Sequence, residues 1–381
     1  MERLYVDVHI IQTVPPSNLN RDDAGSPKQA TYGGVKRARV SSQAWKRATR
    51  KAFTGDLPLA EQGTRTKRIA SLLASRLMER AGLDEEQASR LATHVLAPLE
   101  IKPGKRKETE TAYLLFFGRS QLEAIADLVA DRAKDLAALD DKALANEVKE
   151  LPIREVLQEG HPLDVALFGR MVADIPALNV DAATQVAHAI STHRVDIEFD
   201  YYTAVDDEKS REAGDDAGAE MIGTIEFNAA TLYRYATVGA HQLLDNLGGS
   251  VDDTIEGVAR FVDGFAKSMP SGHQNSFAHR TLPSAVVVVV RRDQPVNLVS
   301  AFETPVSTSG GLVPASVTKL AGELRGIGER WADEPVLVAA TYDPAPDESG
   351  LAQVFGPARP FPELVDELRT VIAEALTTVD A

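Results

Sequence analysis

The chain has 381 residues, 41 Lys and Arg against 56 Asp and Glu, a net charge of −15 and no Cys. Without Cys there is no disulfide, no thiol nucleophile and no Cys-ligated zinc. The length predicts two or three structural units, the composition is that of a soluble globular protein, and no apolar run reaches the length of a membrane span.

Leu4, Val6, Val8 and Ile10 alternate with Tyr5, Asp7, His9 and Ile11, which predicts a half-buried strand, ended by Pro15-Pro16. Glu2 and Asp7 stand where a signal peptide would be apolar, so a cytoplasmic protein is expected. Residues 1–51 then hold ten Lys/Arg against four Asp/Glu, leaving −21 on the remainder. A polyanion held by this segment is the simplest reason for such a block in an acidic chain. Ser41 or Ser42 suits the N-cap of a helix beginning near Gln43. Trp45, Ala48, Thr49 and Phe53 make its inward stripe. Lys46 and Arg50, and Arg47 and Lys51, lie four apart on the solvent side, a repulsion of a few tenths of a kcal/mol. Basic residues in a first turn also oppose the helix dipole, so an anion near that end is stabilising. A solvated basic face is the bland alternative. The Tyr32-Gly33-Gly34 turn, the Ser pair and the charge asymmetry together favour the anion.

From about Ala60 to Ala173 the pattern is helical throughout, with helices near 84–96, 141–149 and 163–172. Between two helices lies a basic loop. Its Lys102, Lys105, Arg106 and Lys107 are either solvated or a second nucleic-acid contact. Residues 183–193 read equally as helix or strand. Val195–Val205 and Met221–Phe227 alternate like strands around an acidic, Gly-rich loop, which predicts a long β-hairpin. Tyr233–Val238 reads as another strand, 251–267 as an amphipathic helix, and Pro270–Ser276 as a polar loop. The Val286–Val290 run predicts a strand buried on both faces. A helix over 314–332, a strand over Val336–Thr341 and a helix over 362–378 close the chain. Strands at both ends enclosing a helical insertion give the order of a ferredoxin-like sheet, a fold that also carries RNA-binding domains.

The closest His pairs, His188/His193 and His273/His279, are five and six apart, and neither spacing puts both rings on one helix face. No protein metal site or cofactor is expected. Asp22-Asp23 beside Arg21 could hold Mg²⁺ for nuclease chemistry; the competing reading, preferred, is that they orient neighbouring cations or terminate a turn. No nucleophile elbow, Walker loop or dinucleotide fingerprint appears. Nothing here compels an enzyme.

Several separated stretches, in order, resemble a known family: Leu19-Asn20-Arg21-Asp22-Asp23, Gly33-Gly34 with K-R-A-R-V-S-S-Q-A-W-K-R-A-T-R-K, Leu167-Phe168-Gly169-Arg170-Met171, A-H-A-I-S-T-H-R-V-D, Tyr202-Thr203-Ala204-Val205-Asp206-Asp207, and Leu243-Leu244-Asp245-Asn246-Leu247-Gly248-Gly249. The family is CasC, the backbone subunit of the type I-E CRISPR surveillance complex Cascade. The resemblance covers most of the chain and is weakest between 55 and 160 and after Leu312. It implies an α+β fold with a modified RRM-like, ferredoxin-like palm, a large helical insertion as fingers and a β-hairpin thumb. The palm's first part is 1–58, the fingers 59–180 and its second part 181–381, with the thumb at about 194–228. It implies copies lined up head to tail on one crRNA, beside other Cascade subunits, gripping backbone without reading sequence and leaving guide segments free to pair with target DNA. It makes Arg21, Ser41, Ser42, Gln43, Lys46, Arg47 and Arg50 RNA-backbone ligands. Met171 becomes an apolar wedge beside a displaced base, Thr203 and Ile222 the thumb side of that kink, and Gln274, Asn275 and Ser276 a loop approaching the guide. The thumb loop is longer and more acidic than the family needs.

Three readings follow: a non-catalytic RNA-binding scaffold, which is preferred; a metal-dependent ribonuclease using Asp22 or Asp23; and a structural protein whose basic face meets an acidic protein partner.

Overall fold

A central antiparallel sheet organises the computed structural model, which describes residues 2–101, 110–172, 174–204, 221–307, 309–343 and 350–377. Its strands are β1 (Tyr5–Ser17), β2 (Gln29–Tyr32), β3 (Val35–Val40), β6 (Thr184–Val186), β7 (Ala189–Ser191), β8 (Glu198–Ala204), β9 (Met221–Gly239), β10 (Ala285–Arg291) and β11 (Leu337–Tyr342). Two more strands, β4 (Gly63–Thr66) and β5 (Leu115–Gly118), pair separately. The main order is β11-β10-β1-β9-β7-β3-β2, with β6 and β8 also on β9.

β1 is buried on both faces rather than half-buried. Val6, Val8 and Ile10 enter one core and Ile11 the other. Asp7 and His9 are fully buried as well, which a second layer of structure makes possible by supplying partners. Tyr235 donates to Asp7 at 2.9 Å and the Arg291 Nε donates to it at 3.1 Å, while His9 Nδ1 lies 2.9 Å from the Tyr233 hydroxyl. Pro15-Pro16 does not end the strand: β1 runs on to Ser17, with a register shift between Val14 and Ser17 where Pro cannot donate to the ladder. β9 is one 19-residue strand rather than two. Its first half pairs with β8 in a ribbon and its second half with β1. The Val run of β10 divides as expected, Val286, Val288 and Val290 to one side, Val287 and Val289 to the other.

The helices are α1 (Ser42–Thr54), α2 (Ile69–Ala81), α3 (Glu85–Leu96), α4 (Arg119–Ala130), α5 (Ala133–Ala138), α6 (Asp141–Val148), α7 (Ile153–Gln158), α8 (Leu163–Phe168), α9 (Ala240–Asn246), α10 (Val251–Lys267), α11 (Gln274–Phe277), α12 (Leu312–Trp331), α13 (Leu351–Phe355) and α14 (Phe361–Thr377). α1, α10 and α14 cover one face of the sheet through Trp45, Phe53, Phe261, Phe265 and Leu368. α12 and the Leu298–Phe302 turn cover the other. Residues 69–178 build a separate hydrophobic core.

That region is not helical throughout, because β4 and β5 form a two-stranded sheet within it. α8 is shorter than predicted: it stops at Gly169, whose φ of +74° a side chain opposes, and Arg170 then bridges to Val180. The 183–193 stretch resolves into β6 and β7. The predicted 270–276 loop closes on one helical turn, α11.

Candidate nucleic-acid interface

Ser41, not Ser42, caps α1: its hydroxyl accepts the Ala44 N–H. The Ser41 N–H donates to Asn20 Oδ1 at 2.8 Å, tying the segment before Arg21 to the helix start. The Ser42 N–H donates to His188 Nδ1 at 3.2 Å. The first turn is therefore less open than its sequence implies, since protein groups already take two of its N–H donors. That bond leaves the His188 proton on Nε2. Burial, then the charges of Arg39 and Lys28, hold the ring below its ordinary pKa, so it is a neutral donor at the mouth of the helix.

Trp45, Thr49 and Phe53 are buried and Ala48 half-buried, as the stripe requires. Gln43, Arg47 and Lys51 form an exposed column four residues apart. Ser42, Lys46 and Arg50 form the adjacent, half-buried one. Burial lowers the Lys46 pKa, and among the described residues no carboxylate pairs with it. Such an ammonium favours an incoming anion. Arg50 differs from the solvent-facing cation its spacing suggests. Its Nη1 lies 4.0 Å from Asp164 Oδ2 and its guanidinium sits 5.2 Å from the Phe116 ring centroid.

A second group gathers around Arg21. The Arg21 guanidinium is 3.3 Å from His273 Nε2, at the start of α11, where Gln274, Asn275 and Ser276 are all exposed. Phe277 meets Phe227 at the base of the β8–β9 ribbon, ring centroids 5.9 Å apart. A cleft of about 550 Å³ there is lined by Arg21, Asp200, Tyr202, Glu226, His273 and Ser276. Asp22 Oδ1 accepts the N–H groups of Ala24 and Ser26 at 2.9 and 3.0 Å, which closes the 22–26 turn.

Thr203 is exposed on β8 and pairs across the ribbon with Ile222 on β9. Met171 is 82% exposed, just past the buried Arg170. No hydrogen bond, ion pair or ring contact among the described residues joins Met171 or Thr203 to α1. Lys102, Lys105, Arg106 and Lys107 lie outside the described residues. Sequence reasoning missed Lys28, Arg39 and His188 as neighbours of the helix start. The sequence marked His188 as half of a candidate metal pair and within a resemblance, and its approach to Ser42 depends on β3 and β7 pairing through Arg39 and Ile190.

The family model for CT1975-like protein matches residues 6–367. The chain belongs to that Cas family. A chain of the "CRISPR RNA-guided surveillance complex, pre-nicking" is 32% identical to this CT1975-like protein, with a TM-score of 0.82 over 97% of this chain and 100% of that one. A chain of a "CRISPR RNA-guided surveillance complex" is also 32% identical, with a TM-score of 0.73 over 96% and 99%. No curated protein matches. No helix among the described residues is long and apolar enough to cross a membrane.

Proposed function

We propose that this protein is a non-catalytic backbone subunit of a type I-E Cascade complex, of the CasC kind, that polymerises head to tail along a crRNA beside other Cascade subunits. It holds the RNA backbone through α1 and leaves guide segments free to pair with target DNA. The observation that carries the reading is Lys46: half-buried, paired with no carboxylate among the described residues, one turn from Ser42, whose N–H His188 accepts, and next to the exposed Arg47. Its chemistry fits a phosphate. The resemblance of the whole chain to subunits of RNA-guided complexes supplies the identity of the polyanion.

The strand order supports a modified RRM-like, ferredoxin-like palm. β1, α1, β6/β7, β9, α10 and β10 follow one another as β-α-β-β-α-β, with spatial order β10-β1-β9-β7 and both helices on one face. The core within 69–178 fits the fingers and the β8–β9 ribbon the thumb. Met171 and Thr203, which no hydrogen bond, ion pair or ring contact among the described residues joins to α1, fit a kink completed by the thumb of a neighbouring copy.

The test is binding of the full chain to fluorescent single-stranded RNA across a salt series. Four or five phosphate contacts predict a log–log slope of about −3 to −3.5, and Lys46→Ala/Arg47→Ala removes about 1.4 of it. On longer RNAs, sedimentation shows more copies per strand. A flat wild-type slope overturns the RNA grip. Mg²⁺-dependent cutting of guide-paired RNA, abolished by Asp22→Ala or Asp23→Ala, overturns the non-catalytic role.

A further inference from the structure

Alternation divides the side chains of β4 and β5 between two faces. Leu115 and Phe117 enter the helical core. Phe116, directly opposite Arg65 in the antiparallel pair, faces the other way and is nonetheless only 4% exposed. Two guanidiniums cover its ring, Arg65 at 4.7 Å and Arg50 of α1 at 5.2 Å from the centroid. A guanidinium stacked on an aromatic face keeps its edge N–H groups available to oxygen acceptors.

Three like charges converge here. Beyond the effect of burial, Arg65 and Arg47 both depress the Arg50 pKa, against the pull of Asp164. Asp164 answers them only in part. Its Oδ2 is 4.0 Å from Arg50, beyond hydrogen-bond reach, and its Oδ1 accepts the Gly63 N–H at 3.0 Å. Three guanidiniums against one carboxylate leave an excess of two positive charges. The crowding is built into the backbone: a Cβ at Gly63 would stand 2.6 Å from the Phe116 ring and 2.4 Å from Asp164 Oδ1.

We infer that Arg47, Arg50 and Arg65 form a phosphodiester-binding cluster, with Phe116 as its platform, where α1 meets the β4–β5 pair. The inference rests on the RNA-scaffold reading and adds Arg65, which lies outside α1 altogether. A forked guanidinium matches two oxygens of one phosphate, and an excess of two charges suits adjacent phosphates of one strand. One nucleic-acid backbone would then bind the sheet and the helical region at once.

The experiment compares the full chain with Arg65→Gln, Arg65→Lys and Lys46→Ala, on single-stranded RNA and on an RNA–DNA hybrid, across a salt series. Loss of one contact lowers the log–log slope by about 0.7 in Arg65→Gln, with the thermal midpoint lowered by only a few degrees, because Arg65 is exposed and gives up one cation–π contact. Arg65→Lys keeps the slope, which follows charge, but binds more weakly, because the fork is lost. A loss on single-stranded RNA assigns the cluster to the guide; a loss on the hybrid alone assigns it to the paired strand. If Lys46→Ala lowers the slope and Arg65→Gln changes nothing on either nucleic acid, the inference is overturned and the scaffold reading stands. If neither variant changes the slope, the scaffold reading fails and takes the inference with it.

Discussion

Replacing Trp45 by Ala tests how α1 is held. The Trp45 side chain has no exposed surface. Its ring lies 3.7 Å from the Arg234 guanidinium carbon and meets Phe265 edge-on at 6.5 Å. Arg234 is itself fully buried, and burial brings its pKa down to about 9. Among the described residues it has no carboxylate partner; it donates to Gln12 Oε1 and to the Phe265 carbonyl. Removing a buried Trp costs about 3–5 kcal/mol, and a desolvated cation–π contact adds about 2 kcal/mol. Trp45→Ala should therefore destabilise by roughly 5 kcal/mol or more, and Trp45→Phe, which keeps a ring over Arg234, by less than half of that. Urea unfolding followed by far-UV circular dichroism reads both. The chain has two Trp, and Trp331 is 78% exposed, so Trp45→Phe also shifts the native emission to the red. A cost below about 1.5 kcal/mol for Trp45→Ala, against the few kcal/mol expected for a packed site, would refute the reasoning. So would equal costs for Ala and Phe.

Two further outcomes follow from the buried geometry. Gly33 has φ +57° and a Cβ there would meet the Glu303 carbonyl oxygen at 1.6 Å, so Gly33→Ala should cost about 2–4 kcal/mol; Gly34, at φ +77° with open space around it, should cost only about 1–2 kcal/mol, and equal urea midpoints for the two variants would refute the contact. His9 is fully buried, and burial, then Arg291, lower its pKa from 6.5 to about 3; the unfolded chain binds the extra proton, so stability present above pH 6.5 is lost as pH falls toward 3, by up to about 1.4 kcal/mol per unit. Between pH 7 and 5 the wild type should lose about 2 kcal/mol more than His9→Gln, a difference that urea unfolding at the two values measures.

What the sequence made legible was local. Period, capping and turn chemistry act over a few residues, so the α1 cap and stripe, the 251–267 helix and the two-sided Val run of β10 could all be read directly. What it hid depends on partners far along the chain. Asp7 and His9 look like the solvent side of a half-buried strand because Tyr235, Arg291 and Tyr233, which satisfy them, lie more than two hundred residues away. β4 and β5 are four residues each, too short for a period of two to stand out between helices. Spacing placed Arg50 on the solvent face, and only Asp164 and Phe116 show that it leans toward the β4–β5 pair. The basic block was legible as a count of charges but not as a set of free ones. Arg37, within that count, is buried and donates to the Ser191, Phe302 and Tyr32 carbonyls.

The arginines thus divide by the acceptors they meet. Arg37, Arg170 and Arg234 are buried on backbone carbonyls or an amide, and brace the fold rather than presenting charge. Lys46, Arg47 and Lys51 make no ion pair among the described residues, and on the proposed reading their charges meet phosphates. The total of −15 does not oppose this. Ions at 0.15 M screen charges beyond about 8 Å, so a phosphate in contact with α1 is governed by the cations beside it, while the acidic remainder repels nucleic acid approaching any other face. In the proposed scaffold, local attraction would set the affinity and distributed repulsion would set where a strand can settle. On the proposed reading, that division would let a strongly acidic protein hold a polyanion along one narrow track.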